Sequence, residues 1–190
     1  MHLGFLTGRE KRVRMLPPKL ATLYREMEEV RGETVSALSG LTEEEFSRKT
    51  GGGWSAAQIL HHILMAEIGT SKVIRKSIKS SAGTLPPYPA DESSLYVREL
   101  PKPVGAYQSP EAVHPEEPPG KDDLLRIARD TREQTAASFA MLAAIDPRAV
   151  TFPHPLFGEI NLYEWPVVTV LMHERDHQRQ IRELLARLRM

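Results

Sequence analysis

The residues best able to do chemistry lie in one short run, "HERDH", from His173 to His177. On a helix, residues i and i+4 share a face, so both imidazoles point the same way, one turn apart. Two neutral imidazoles so placed can chelate a divalent transition metal, and imidazole suits zinc, nickel, copper or iron. The run also matches H-E-x-x-H, in which the glutamate serves a zinc protease as general base. Glu174 is therefore the candidate base. It lies about 100° around the helix from His173, at the edge of such a site or facing solvent, as a lone glutamate among charges usually does.

Two imidazoles do not complete a site. After His177 the sequence reads Gln178, Arg179, Gln180, Ile181, not the continuation of a metzincin. Glu183 follows on the same helix and cannot fold back to the metal. The third ligand must come from upstream, which argues against the protease. The upstream histidines are His2, His61, His62, His114 and His154. His61 and His62 fall in a helical stretch, and periodicity does not separate them. His61 aligns with Ala57, Leu60, Leu64 and Ile68, and His62 with Gln58, Ile59, Met65 and Ala66. His114 and His154 stand in proline-rich loop and are less preorganised. Three nitrogen ligands and an open position make a catalytic pattern, whereas a structural zinc is usually closed by four. The plainer reading keeps these histidines as hydrogen-bonded core residues. Gln58 and Gln180, one turn from candidate ligands, can orient imidazoles or substrate, or simply bond between helices. Asp176 can accept a proton from a neighbouring histidine or pair with Arg175 or Arg179. Tyr163 and Trp165 read as packing residues.

Four long stretches must position these groups. Leu20, Leu23, Tyr24, Met27 and Val30 recur at helical spacing over residues 17–38, after Pro17 and Pro18. Thr42 and Glu45 have capping-box spacing before a short piece. Ser55 and Gln58 repeat that spacing at the head of a helix over 55–79, with glycines 51–53 breaking the chain and Trp54 placed to staple the first turn. A third helix spans 121–146, with Asp122 and Asp123 favouring its positive end. A loop leads to the last helix, which starts near Asn161 with Glu164 in capping position; Pro166 predicts an irregular first turn. No strand pattern emerges, so the fold class is all-α, a four-helix bundle in one domain over 1–190. Nine of the fifteen prolines fall between Pro86 and Pro119. Residues 81–119 therefore read as an irregular crossover, needed if the second and third helices run parallel, with part of it free to cover one end as a lid.

Composition narrows the function. Twenty-five basic and twenty-five acidic residues cancel, which argues against a broad nucleic-acid footprint. There is no cysteine, so thiolate metal sites, disulfides and a cysteine nucleophile are excluded. The N-terminus lacks the apolar core of a secretory signal, and no apolar run is long enough for a membrane span. A cytoplasmic protein with a small-molecule substrate is the expectation.

Two stretches resemble a known family. "WSAAQILHHILMAE" resembles the W-S-x-x-[EQ]-h-x-x-H pattern (h apolar) of the DinB/YfiT-like family, and "HPLFGEINLYEW…HERDHQRQI" its final loop and helix. The resemblance implies His62, rather than His61, as the third ligand, eight residues after Trp54. It also implies an up-down-down-up bundle, a divalent metal (zinc or nickel foremost) on His62, His173 and His177, and pairing into homodimers. Asp176 and Arg179 depart from residues common in relatives and touch the details of the pocket, not the ligands. Among family activities are thiol S-transfer with a low-molecular-weight thiol and maleylpyruvate isomerisation. A metal on three imidazoles would lower the pKa of bound water or hold a thiol as thiolate. The expectation is a metal-dependent thiol S-transferase or hydrolase. The alternative is a non-enzymatic binding or dimerisation protein with a structural or incidental metal.

Overall fold

The computed structural model describes residues 7–81, 83–97, 113–154 and 157–189, and the chain is mostly helical. The helices are α1 (Gly8–Arg14), α2 (Pro18–Ser39), α3 (Glu43–Ser47), α4 (Ala56–Ser80) and α5 (Lys121–Leu142). A last rod follows, built from α6 (Glu164–Pro166), a π-helical stretch (Val167–Met172) and α7 (His173–Leu188). Local chemistry sets the starts. Pro18 opens α2, where its missing N–H costs nothing. Full capping boxes form at Thr42/Glu45 and Ser55/Gln58. A third box, Thr7/Glu10, nucleates α1, a helix the sequence reading leaves out.

Around the bundle, α2 contacts α5 and the last rod, and α4 contacts the same two. Glu67, Ser71 and Arg75 of α4 meet Arg132, Thr135 and Ser138 of α5 in ascending order, so these neighbours run in the same direction. The chain must then return the length of the bundle. It does so past the start of α2, where Glu92 accepts from the Lys19 N–H at 3.2 Å, and back to the start of α4, where the Pro115 carbonyl accepts from Gln58 Nε2 at 3.0 Å. Of residues 81–119, part of which is the expected lid, residues 82 and 98–112 lie outside the described residues, as does His2.

Two corrections concern the last quarter. A short antiparallel hairpin, β1 (Thr151–His154) with β2 (Gly158–Asn161), occupies the expected loop. Four-residue strands, one holding Pro153, are too brief for alternation to register in the sequence. The reciprocal bonds expected at Asn161 form, its Oδ1 accepting from the N–H groups of Tyr163 and Glu164 and Glu164 accepting from the Asn161 N–H, but Asn161 ends β2 and the helix itself begins only at Glu164. Pro166 does disturb the first turns, but the irregularity reaches further, through the π stretch to Met172.

The core is two apolar clusters. One gathers Leu20, Tyr24, Met27, Phe139, Leu142, Val167 and Leu171; the other gathers Leu38, Phe46, Leu60, Leu64, Leu124, Ile181 and Leu184. No helix among the described residues is long and apolar enough to cross a membrane.

Removing the cap should matter less than opening the core. Ser55→Ala is expected to cost about 1 kcal/mol and Leu60→Ala about 2–5 kcal/mol, read from urea denaturation; the reverse ranking would contradict the packing described.

Candidate metal centre

Helix α4 carries His62, and α7 carries His173 and His177 one turn apart. Their rings converge. His62 Nε2 and His177 Nε2 each lie 3.0 Å from His173 Nε2. His62 and His177 are buried and His173 is partly exposed. The outer nitrogens are spoken for. His62 Nδ1 lies 2.6 Å from the Val113 carbonyl; a carbonyl only accepts, so Nδ1 carries the proton and Nε2 presents its lone pair. His177 Nδ1 likewise meets Gln180 Oε1 at 2.9 Å. His173 can direct at most one Nε2 proton into the centre, so one of the two gaps sets lone pair against lone pair. A cation removes that conflict. Nitrogens at the corners of a tetrahedral zinc site stand about 3.3 Å apart, close to the spacing found. The donor set therefore fits a divalent ion, and these three histidines can hold one.

Burial keeps the imidazoles neutral. Desolvation pushes His62 down to about 4, against the Val113 hydrogen bond, and His173 down to about 3. It lowers His177 too, with Gln180 pulling the other way. Near neutral pH all three keep lone pairs to give.

The DinB superfamily model matches residues 26–181, a span that contains all three histidines. The chain belongs to the DinB superfamily. It is also similar to the uncharacterized protein YuaE of Bacillus subtilis (strain 168), 26% identical over 158 residues, covering 82% of this chain and 93% of YuaE. No solved structure matches it.

Other expected site residues of this DinB-superfamily chain fall in varied places. Glu174 is corrected: it is neither at solvent nor at the site's edge but 1% exposed. Arg31 Nε donates to its Oε1 at 2.8 Å, and Arg132 Nη2 reaches its Oε2 at 3.3 Å. With both oxygens already accepting from guanidinium groups, the carboxylate has none aimed at the triad to serve as a base. The reason is rotational: 100° from a seam-facing His173 is the bundle core. Gln180 bonds to a candidate ligand, His177. Gln58 is buried, and its hydrogen bonds go elsewhere: its Oε1 accepts from the Ser55 N–H and its Nε2 donates to the Pro115 carbonyl. Asp176 is exposed and pairs with Arg179 at 2.9 Å. His61 and His154 lie outside the cluster.

Some neighbours are unannounced by the sequence. The Trp54 ring, expected only as a staple, sits 4.9 Å from His62 and stacks at 6.3 Å on His177. Exposed His114 stands edge-on to it at 5.7 Å. The Val113 carbonyl is a backbone acceptor that no side-chain pattern signals. A groove of about 560 Å³ lies further along α4 and the last rod, lined by Val73, Lys76, Ser77, Phe152 and Trp165 among others; none of its residues is a ligand.

Two outcomes follow. In the unfolded chain these histidines titrate near 6.5, above their folded values. Metal-free protein should thus keep full stability above that pH and lose it as the pH falls towards 4, as unfolded chains take up protons the fold refuses; a flat denaturation midpoint across that window would contradict the burial of the triad. Gln180→Ala should weaken metal affinity about tenfold or more, while Asp176→Asn, whose carboxylate is exposed and paired with Arg179, should leave it within about twofold, both read by competition with a chelating dye.

Proposed function

We propose that this DinB-superfamily protein is a metal-dependent enzyme that activates a thiol or water nucleophile, acting as a thiol S-transferase or a hydrolase on a small molecule. One observation carries the reading: three Nε2 atoms converge while two of the matching Nδ1 atoms are held by Val113 and Gln180. Three protein ligands leave a coordination position for substrate, unlike the closed four-ligand structural site. A zinc or nickel ion bound there supplies a Lewis acid that lowers the pKa of the nucleophile taking the open position. The chain's own residues hold the imidazoles neutral, fix the tautomers of His62 and His177 and wall the site with the Trp54 indole. With no cysteine in the sequence, a thiol nucleophile would arrive as a low-molecular-weight cofactor. A cytoplasmic homodimer is the setting we propose.

A second reading has its own support. Glu174, the carboxylate best placed by sequence to act as base, is committed to two arginines. A bundle without that base suits a binding protein whose metal is structural or incidental.

The test begins with purified protein and its metal content. The enzyme reading expects about one divalent ion per chain, lost in His62→Ala with helicity kept. It also expects the loaded protein to speed consumption of a cysteine-containing thiol with an aromatic chloride electrophile, or hydrolysis of an activated ester. A loaded protein inert in both assays, and unfolded by a chelator, would support the binding reading instead.

A further inference from the structure

Each long helix places one charged residue in the core, and all four meet. They are Arg31 on α2, Glu67 on α4, Arg132 on α5 and Glu174 on α7, none more than 5% exposed. In every helix the charge falls between the residues of the two apolar clusters: Arg31 between Val30 and Leu38, Glu67 between Leu64 and Ile74, Arg132 between Ala128 and Ala136, Glu174 between Leu171 and Ile181. Each carboxylate bridges both guanidiniums. Glu67 accepts from Arg31 at 2.9 Å and from Arg132 at 3.0 Å. Glu174 accepts from Arg31 through both oxygens, at 2.8 and 3.0 Å, and from Arg132 at 3.3 Å. Thr135 donates to Glu67 and Arg132 donates to the Met27 carbonyl, and Glu28 approaches Arg132 Nε from the rim at 3.3 Å. Burial alone would raise the Glu67 carboxyl, but Arg132 and Arg31 hold it below the usual carboxylate value.

Such a ring adds little net stability, because desolvating four charges offsets most of their attraction. Its geometry is more informative. Glu174 directly follows His173, and Glu67 lies five residues after His62. If Glu174 faces the ring, His173 is turned about 100° away, towards α4 and His62. The π stretch ending at Met172 adds a residue to the rod relative to an α-helix.

We propose that the Arg31–Glu67–Arg132–Glu174 ring is a positioning device for the metal centre: it fixes the rotation of the last rod so that His173 and His177 meet His62. The inference rests on the metal reading above. The four residues are positioning residues and touch neither metal nor substrate.

The test compares cobalt(II) affinity and the visible absorption bands of the bound ion, which report its coordination geometry. In Arg31→Met with Glu174→Met, one charge of each sign leaves, Arg132 and Glu67 stay paired, and the exchange of a buried pair for apolar side chains is compatible with folding. Affinity is expected to drop about tenfold or more, with altered bands. Arg31→Lys keeps the charge but loses the fork, and should fall between wild type and the double variant. Leu142→Ala, in the other cluster, lowers stability and should leave affinity and bands unchanged. Wild-type affinity and bands in the folded double variant would overturn the proposal, as would the same result in Arg31→Lys if the double variant does not fold. An equal loss in Leu142→Ala would also overturn it, since affinity would then merely track stability. Failure of the wild-type protein to bind cobalt(II) is a separate result, which would remove the metal reading and this inference with it.

Discussion

Adjacent residues on the last rod face in different directions, and the site depends on both being satisfied. His173 turns its Nε2 towards His62 and His177. Glu174, its neighbour, turns into the core between two guanidinium groups. A buried carboxylate without such partners is strongly unfavourable, and three inward imidazoles without a proton or cation between them repel. A small rotation of the rod breaks both sets of contacts. The fold therefore has to hold one angle of one helix, and much of its irregularity, from Pro166 through the π stretch, lies just upstream of the turn where that angle is fixed.

The crossover enters the same problem from the other side. Val113 fixes the tautomer of His62, and Pro115 is held by the amide of Gln58, whose other atom caps the helix that carries His62. The parallel course of α4 and α5 forces a long return, and the end of that return supplies a carbonyl to the site. Loop and imidazole are thus one unit: a proline-rich segment without helical pattern brings a backbone acceptor to the site.

The sequence showed the helices clearly because capping boxes and apolar stripes are local signals. Thr42/Glu45 and Ser55/Gln58 form the caps their spacing implies, and Asn161/Glu164 makes the same reciprocal bonds just before its helix starts. Thr7/Glu10 carried the same signal and marks α1. The hairpin was hidden because four residues are too few to establish alternation. The side of the helix on which Glu174 lies was ambiguous, because a charge next to charges reads as surface. A clue lay elsewhere. Arg31, Glu67 and Arg132 interrupt apolar stripes at core positions of three helices, and buried charges of opposite sign imply one another. The choice between His61 and His62 was beyond periodicity, since both rows are mixed. Family resemblance favoured His62, and His62 is the one whose ring meets the other two.

The proposed function requires three imidazole nitrogens around one cation. X-ray absorption spectroscopy of the purified protein, taken at the edge of whichever divalent metal it carries, tests that most directly. The account predicts a first shell dominated by nitrogen or oxygen at about 2.0–2.1 Å, with outer-shell scattering that counts three imidazole rings. A shell of oxygen alone, or a ring count of one, would contradict it.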